Sequence, residues 1–542
     1  MQEEIEMNAI KSLKFTGLIW GIIMTIGALS HLYADHPLWR PETNLEVKLV
    51  NDVDISPDGK EVVYSITEAL IDENKYQTQI WKGGTANPKS HSPITDAKTP
   101  SSLPRWSPNG KWIAFTSKKS GVKNLYLLSS DGTKEVQITN LPRSVIFFHW
   151  SPDSKKIAFV APKEKDHEEL RDNLSLEVEK YSGSGDMAHL WVIDAQPDLQ
   201  QPVLLTDENY HVIGEGEFHS IIDAFDWSPD SQAIAFTYTV KPGSDERLKA
   251  SQIAFVDLST KEISHLPKLA PHQSVPKFSP DGTKLAFLKS DEKASWTLVR
   301  YLTVYHLATG EFQQLSKTPD EASFLMGPSL LGWSHDGQNL LYLEPFRTKF
   351  AIWQVPLNGG PVARFDDGKR MLSSPLLSRN RKWIGAVLET SVEAPEAYFT
   401  SSFSFQSQKV SQANIHLAKK PIASTEVIQW TSSDHKEIEG LLTYPKNYVK
   451  GQRYPLLLFI HGGPMGVFSE SYLGTGHVYP LASFADAGFL VLRVNPRGSA
   501  GYGREFRHSV CEDWGGRDYD DLMTGISCKY RAFLSSLEMH KV

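Results

Sequence analysis

The chain has 542 residues, of which 40% are hydrophobic, 11% aromatic and 22% charged, a composition typical of a globular protein with two or three domains. Its formal net charge is −8 with both signs interspersed, which excludes the basic surfaces that bind nucleic acid or anionic membranes. Only Cys511 and Cys528 are present, so neither a disulfide framework nor a cysteine-based metal site organises the fold. No pattern indicates a metal ion or an organic cofactor.

The N-terminal segment has the pattern of a secretory signal peptide. Lys11 and Lys14 precede an apolar run over residues 15–29, and small residues follow at Ser30 and Ala34. A positive start, an apolar stretch and small residues at a cleavage point are the features of such peptides. We therefore predict a signal peptide over residues 1–34 and a periplasmic or secreted protein. The alternatives are an uncleaved membrane anchor, for which the run is short, and a buried helix of the mature fold.

A short motif, best seen as Trp-Ser-Pro-Asn-Gly-Lys-Trp-Ile-Ala-Phe at residues 106–115, occurs seven times. Each copy predicts a hairpin: proline fixes φ at the second turn position, Asp or Asn supplies a local side-chain hydrogen bond, and Gly or Ser accepts the strained last position. The apolar run that follows predicts a buried strand. The serines of the seven copies are Ser56, Ser107, Ser151, Ser228, Ser279, Ser334 and Ser378.

The spacing of the motif predicts a seven-bladed β-propeller over residues 45–412. Successive serines lie 44 to 77 residues apart, and a second pair of short apolar strands falls between most copies. Periods of about 40–50 residues with four strands each are typical of propeller blades. A two-sheet sandwich is the alternative. The seventh copy, at residues 377–384, departs most from the others.

The longest spacing contains an insertion with the charged run 163–169 and a second acidic cluster that includes Glu215 and Glu217. Two carboxylates near the mouth of a propeller would bind the free amino terminus of a peptide through charge-assisted hydrogen bonds. The alternative is a solvated surface insertion with no binding role.

After residue 415 the pattern becomes that of an α/β domain. Two alternating strands flank the polar turn 433–436, and the apolar run 454–460 predicts a strand buried on both faces, as in a parallel sheet. A helical pattern over 479–487 and a second apolar strand over 489–494 follow. The order strand, helix, strand predicts a right-handed crossover.

Three motifs in this region carry a family resemblance. They are His461-Gly-Gly-Pro at a strand end, Asn495-Pro-Arg-Gly-Ser-Ala-Gly-Tyr-Gly, and Asp513-Trp-Gly-Gly-Arg-Asp-Tyr-Asp-Asp-Leu. Together with the propeller they resemble the prolyl oligopeptidase family of serine peptidases, most of all its dipeptidyl aminopeptidase and acylaminoacyl-peptidase branch. The resemblance implies a propeller that restricts access to an α/β-hydrolase domain, here residues 415–542, and short peptides as substrates.

The same resemblance assigns an oxyanion-hole turn. Hydrolases of this class use a backbone N–H in the loop after the glycine-rich strand end, and the resemblance places that donor at Gly463, with Gly462 beside it and His461 in the wall. A structural turn without a catalytic task is the alternative. The aspartates at 513, 518, 520 and 521 are interpreted as charges at a helix start, where the macrodipole favours them.

The sequence departs from the family after Gly525. The family continues to a Gly-x-Ser-x-Gly nucleophile elbow and then supplies Asp and His, whereas this motif occurs nowhere in the 542 residues. We therefore expect an incomplete, truncated hydrolase domain and a catalytically inactive chain. A peptide- or protein-binding propeller like those of the Tol system is the alternative function. An improvised dyad of Ser499 or Ser527 with His508 or His540 is a further, weaker alternative.

Overall fold

The computed structural model describes residues 39–163, 187–214, 224–242, 250–290, 299–321, 330–463, 465–475 and 479–538. The predicted signal peptide at 1–34 and the predicted peptide-binding residues Glu215 and Glu217 lie outside these residues. No helix within the described ranges is long and apolar enough to span a membrane.

Seven antiparallel sheets follow one another along the chain, each with four strands in sequence order and the fourth with one additional short strand. The first sheet contains β1 (Leu49–Ile55), β2 (Glu61–Leu70), β3 (Lys75–Gly84) and β4 (Ser92–Pro93), and the second contains β5 (Ser101–Trp106), β6 (Trp112–Ser120), β7 (Val122–Ser129) and β8 (Glu135–Gln137). The third contains β9 (Phe147–Trp150), β10 (Lys156–Pro162), β11 (Ala188–Asp194) and β12 (Val203–Leu204). The fourth contains β14 (Phe225–Trp227), β15 (Ala233–Thr239), β16 (Gln252–Asp257) and β17 (Ile263–His265), and the short β13 (His211–Val212) also pairs with β15.

The last three sheets have the same order. They contain β18 (His272–Phe278), β19 (Lys284–Ser290), β20 (Tyr301–His306) and β21 (Phe312–Gln314); β22 (Leu330–Trp333), β23 (Asn339–Phe346), β24 (Lys349–Pro356) and β25 (Ala363–Arg364); β26 (Met371–Leu377), β27 (Trp383–Glu389), β28 (Glu396–Ser401) and β29 (Gln408–Lys409). Short 3₁₀ turns lie at Ile71–Glu73, Pro88–Ser90 and Ile415–Leu417.

The first and seventh sheets pack together and close a ring. Val50 and Val53 of β1 share one buried cluster with Val387 of β27 and Phe399 of β28. Because every sheet is a separate four-stranded unit and the last contacts the first, the seven sheets are the blades of a propeller. The predicted seven-bladed propeller is confirmed, and the predicted boundaries 45–412 enclose β1 to β29.

The repeated motif forms the turn between the first and second strands of each blade. In blade 5 the Ser279 hydroxyl donates to Asp281 Oδ1 (2.5 Å) and accepts from the Lys284 N–H (2.9 Å), while Gly282 closes the turn at φ +69°. The hydrogen bond from Ser279 holds the pKa of the Asp281 carboxyl well below its usual range. The same serine and Asp or Asn bonds recur in the other six copies.

The aromatic residue before the serine connects neighbouring blades. A tryptophan indole N–H donates to the backbone carbonyl oxygen that precedes the corresponding aromatic residue of the previous blade. These bonds are Trp150 to Arg105 (3.1 Å), Trp227 to His149 (3.3 Å) and Trp333 to Lys277 (2.9 Å). One residue of the repeat therefore fills the core between two blades and also fixes their relative position.

The remaining sheet has the hydrolase arrangement, in the order β30 (Thr425–Thr431), β31 (Glu437–Thr443), β33 (Leu490–Asn495), β32 (Leu456–Ile460). Strands β32 and β33 are parallel and are joined through the helix α2 (Leu481–Asp486), as predicted. The other helices are α1 (Pro41–Asn44), α3 (Arg504–His508) and α4 (Arg517–Glu538).

The prediction that residues 454–460 are buried on both faces is wrong for the described residues. Strand β32 is the edge of the sheet, its residues are half-buried, and Ile460 is 60% exposed. An apolar run does not distinguish a central strand from an edge strand, because only the neighbouring strands decide that difference.

Trp39, the first described residue, packs on the hydrolase domain. Trp39 lies in a buried cluster with Tyr472, Leu481 and Val491, its backbone N–H donates to the Asp486 carboxylate, and its ring meets that of Tyr472 edge to face at 6.1 Å. From Trp39 onward, the described chain therefore runs from the hydrolase domain through the propeller and back, so that two connections join the domains.

A buried ion pair also joins the domains. Arg507 of α3 lies 3.0 Å from Asp320, which precedes blade 6, and both side chains are fully buried. The Gly503 N–H donates to the same carboxylate (2.9 Å), and the Asp320 N–H donates to Glu344 (3.0 Å). Burial raises the pKa of Asp320 to about 6, and Arg507 opposes the rise.

The contact between Gly59 and Trp383 gives a test of ring closure. A Cβ atom at Gly59 (φ +77°) would lie 2.4 Å from the Trp383 indole of blade 7, whereas one at Gly110 (φ +70°) would have its nearest neighbour at 3.7 Å. We expect Gly110→Ala to lose about 1–2 kcal/mol of unfolding free energy from the left-handed φ alone. Gly59→Ala should lose about 1–3 kcal/mol more, because overpacking adds to the strain. Equal losses in chemical denaturation would contradict a ring closed at this contact.

The Asp320–Arg507 pair gives a second prediction. Asp320→Asn leaves a buried guanidinium without its counter-ion and should cost about 3–5 kcal/mol of unfolding free energy. The double variant Asp320→Asn/Arg507→Met should lose less than Asp320→Asn alone, because the uncompensated charge is gone. The matched control is Glu321→Gln, which removes the partly exposed pair with Lys317 (2.9 Å) and should cost about 0–1 kcal/mol. A loss of unfolding free energy in the double variant as large as in Asp320→Asn, or larger, would mean that the two charges are not coupled.

Candidate active site

The loop after β32, which begins at His461 and includes Phe468, is called the glycine loop because it has two glycines close to the end of the strand. Gly463 has φ +131°, and a Cβ atom there would lie 2.6 Å from the Gly466 nitrogen, so only glycine fits. Gly462 faces open space, and both glycines are exposed. Within the described part of the chain, neither N–H donates to an acceptor. Two N–H groups are therefore available to an oxygen atom of a ligand.

Asn495, at the end of β33, holds this loop in place. Its buried side chain accepts from the Phe468 N–H (2.7 Å) and donates to the Phe468 carbonyl oxygen (3.0 Å). The same amide donates to the Tyr502 hydroxyl (3.0 Å). One side chain thus connects the glycine loop to the 495–503 loop.

His461 lines the loop, as predicted, and contacts Ser499. Its Nε2 lies 3.0 Å from Ser499 Oγ, and burial lowers the pKa of its imidazole. Ser499 is fully buried, and its hydroxyl donates to the Pro496 carbonyl oxygen (2.6 Å). Ser499 therefore anchors the loop and is not presented to a substrate.

Ser527, the other serine of the improvised dyads, bonds to its own helix. Ser527 lies exposed on α4, and its hydroxyl donates to the Met523 carbonyl oxygen (2.9 Å). His508 lies on α3, and His540 is outside the described residues. Among the described residues, the structure brings His461 to Ser499.

A buried ionic network fixes the other side of the 495–503 loop. The Arg497 guanidinium donates to both oxygens of Asp521 (2.7 and 2.9 Å), which also accepts from the Arg497 N–H (2.8 Å). Arg497 Nη1 and Nη2 also donate to Asp434, in the turn between β30 and β31, at 2.8 and 2.9 Å. These bonds hold the pKa of Asp434 well below its usual range.

This network corrects the interpretation of Asp521 as one of the charges at a helix start. Asp521 does lie in the first turns of α4, but its carboxylate is fully buried against Arg497. The sequence motif contained both residues, yet neither spacing nor charge indicated that they meet. The roles of Asn495 and Tyr502 were missed for the same reason, because their partners are distant in sequence.

The 495–503 loop also contacts the propeller directly. The Arg347 N–H, in the turn between β23 and β24, donates to the Gly501 carbonyl oxygen (2.8 Å). Its guanidinium lies 2.9 Å from Glu439, which also accepts from the Tyr502 hydroxyl (2.8 Å). Burial, and then the Glu439 charge, raise the pKa of Tyr502. The same propeller turn binds the chain that follows the glycine loop, since the Thr348 hydroxyl and the Lys349 ammonium both contact Glu470 at 2.7 Å.

The 495–503 loop and the chain that follows the glycine loop therefore both contact the turn between β23 and β24 of blade 6, and the predicted oxyanion residues Gly462 and Gly463 follow His461 at the end of β32. Among the described residues, no group of three or more His, Cys, Asp or Glu side chains could hold a metal ion.

Comparison with known proteins supports this architecture. Residues 478–532 match the model of the Prolyl oligopeptidase family. The chain is 24% identical over 506 residues to Dipeptidyl-peptidase 5 of Porphyromonas gingivalis, covering 90% of this chain and 72% of that protein. It is 26% identical over 503 residues to the uncharacterized peptidase YuxL of Bacillus subtilis, covering 88% and 73%.

The solved structures agree at the level of the fold. The acylaminoacyl peptidase of Pyrococcus horikoshii superposes with a TM-score of 0.70 at 19% identity, over 91% of this chain and 72% of that chain. The propeller, the glycine loop, the 495–503 loop and these matches all lead to one conclusion: the chain is similar to the prolyl oligopeptidase family of serine peptidases.

Proposed function

We propose that this chain supplies the access-restricting propeller and part of the oxyanion site of an exported serine exopeptidase that cleaves short peptides. The reaction is of the dipeptidyl-peptidase or acylaminoacyl-peptidase type, as the names of its relatives suggest. One observation carries the proposal: the N–H groups of Gly462 and Gly463 are exposed and without an acceptor in the described structure, beside the propeller contact.

The chemistry follows from these two donors. When a nucleophile adds to a peptide carbonyl, negative charge develops on the oxygen, and preorganised N–H groups stabilise it. Gly463, locked at φ +131°, would donate to that oxygen, and Gly462 would support it. Asn495 and the contact with blade 6 keep the loop from rearranging, which preserves the geometry through the reaction.

Residues 1–542 would bind substrate without turning it over. Acyl transfer needs a nucleophile activated by a base that a third group orients. The chain contains no Gly-x-Ser-x-Gly motif, and Ser499 is buried against Pro496. The proposal therefore includes the catalytic inactivity of residues 1–542 on their own. It also includes export to the periplasm or the exterior through the segment 1–34, which would act as a signal peptide or, alternatively, as a membrane anchor.

A second function, peptide or protein binding by the propeller alone, rests on a different observation. All seven blades are present and closed into a ring, so the propeller is a complete unit with its own axial channel. In that case ligands would contact the blades and not the glycine loop.

The inactivity is tested with a fluorophosphonate probe and a panel of dipeptidyl and acylaminoacyl chromogenic substrates. We expect no stoichiometric serine labelling and no turnover by the 542-residue chain, because no activated serine is presented. The variants His508→Ala and His540→Ala control for the alternative dyads. Labelling of Ser499 or Ser527, or turnover that these variants abolish, would contradict the expectation; turnover that persists in both, without labelling of the chain, identifies a contaminating peptidase.

Photo-crosslinking distinguishes the two functions. A short peptide with a benzophenone group should label the glycine loop and the turn between β23 and β24, and Gly463→Ala should reduce labelling because a Cβ atom there would lie 2.6 Å from the Gly466 nitrogen. Gly451→Ala is the matched control, since Gly451 has φ +92° and no atom near its Cβ position. Labelling confined to the blades, and unchanged in Gly463→Ala, would instead support a binding propeller.

A further inference from the structure

The seventh copy of the repeated motif differs from the others in two positions of its turn. Arg379 stands where five copies have proline and the sixth has His335, and Arg381 stands where the others have Gly or Ser. The turn is nevertheless intact, because Ser378 donates to Asn380 (2.9 Å) and Arg381 takes the left-handed φ of +58°. Two arginines therefore occupy turn positions that the fold itself fills with small or rigid residues.

These turns surround one end of the propeller channel. In a four-stranded antiparallel blade, the turn from the first to the second strand lies at the opposite end from the turn between the second and third. The latter contacts the hydrolase domain at Arg347 and Thr348, so the repeated turns face away from it. A cavity of about 100 Å³ lies among them, and its charged lining residues are Asp54, Arg105, Asp226, Lys277, Arg379 and Arg381.

Arg379 and Arg381 extend from blade 7 across this cavity. Arg379 Nη1 lies 2.8 Å from Asp226 Oδ1 of blade 4, and Arg381 Nη2 donates to the Phe278 carbonyl oxygen of blade 5 (3.4 Å). The other Asp226 oxygen accepts from the Phe278 N–H (2.9 Å). One carboxylate therefore faces two guanidinium groups.

Asp54, the other carboxylate that lines the cavity, does not balance the excess positive charge of the two guanidinium groups. Asp54 accepts from the backbone N–H groups of Trp106 (2.7 Å) and Ile55 (2.9 Å), and its nearest cation is Arg105. Meanwhile Nε and Nη2 of Arg379 are buried without a hydrogen-bond partner among the described residues. Buried donors of a charged group are costly unless they are satisfied, which favours a further anion beside the two arginines.

The backbone supports the same conclusion. A non-glycine residue at positive φ is strained, and such strain is retained where the side chain is needed. Glycine, found at four of the other six turns, would remove the strain at position 381. A guanidinium presents planar donors that match an oxyanion, and two of them converge on one cavity.

We propose that Arg379 and Arg381 bind an oxyanion, a carboxylate or a phosphate group, at the channel mouth far from the hydrolase domain. The site is separate from the glycine loop and does not depend on peptidase chemistry. Its ligand is either a free inorganic anion or the carboxylate of a peptide that enters the channel.

The test is calorimetric titration of the full chain with inorganic phosphate at constant ionic strength set by chloride. Arg381→Gly should weaken phosphate binding about tenfold or more, because a charge-assisted bond is lost. The variant should be at least as thermally stable as the parent without phosphate, since glycine suits the left-handed φ. Arg379→Met should weaken binding similarly, and Lys382→Met, an exposed residue of the same turn that lies outside the cavity lining, should leave it unchanged.

Two further titrations separate the sources of the anion. A short peptide with a free C-terminal carboxylate is compared with its C-terminal amide, both in the parent chain and in Arg381→Gly. Phosphate binding with no difference between peptide and amide identifies a free anion, whereas a preference for the free carboxylate that Arg381→Gly removes identifies the peptide terminus; both support the site. Absence of binding to phosphate and peptide, or binding that Arg381→Gly leaves unchanged, would overturn the proposal.

Discussion

The buried ion pair between Arg497 and Asp521 is the contact on which the candidate site depends. It fixes the 495–503 loop to α4, and through Asp434 to the turn between β30 and β31. The same loop carries Asn495, which holds the glycine loop, and Gly501, which binds the propeller turn at Arg347. Because breaking a buried pair leaves an uncompensated charge, this junction is costly to open, and it supports the loop that carries Gly462 and Gly463.

The propeller is held together by a different principle, repeated seven times. In each turn the buried serine forms hydrogen bonds with the Asp or Asn side chain and with a backbone N–H of the same turn. The serine hydroxyl therefore needs no hydrogen-bond partner from the rest of the blade. The indole bonds from Trp150, Trp227 and Trp333 then fix blades 3, 4 and 6 against the blade that precedes each of them. Hydrogen bonds within each turn and packing between neighbouring blades together stabilise a large ring without disulfides, as in other repeat folds.

Much of this fold was predictable because it is local. The turn at Ser279, the strand after it and the period of the repeat are all written in short stretches of sequence, and the number of blades follows from the number of copies. The parallel pair β32 and β33 was also predicted, since a strand, helix, strand order has few alternatives. Burial of β32 was not predictable, because it depends on which strands lie beside it.

Only those residues of the candidate site that belong to a motif of the family resemblance could be proposed from the sequence. The resemblance assigned Gly462 and Gly463, and the structure places them in an exposed loop where their N–H groups have no acceptor among the described residues. Arg497 with Asp521 and Asp320 with Arg507 escaped sequence reasoning, because a charge pair between distant residues leaves no periodic signal. The arginines of blade 7 were seen only as departures from a pattern, and their convergence on Asp226 required the ring geometry.

The central claim is that the glycine loop is a preformed oxyanion site at the propeller contact. A crystal structure of the chain with a bound short peptide tests it most directly. The account predicts a ligand oxygen about 2.7–3.1 Å from the Gly463 nitrogen, the distance of a hydrogen bond to an oxyanion-hole donor. A peptide bound elsewhere, or a Gly463 N–H that turns to a protein acceptor in the complex, would contradict it.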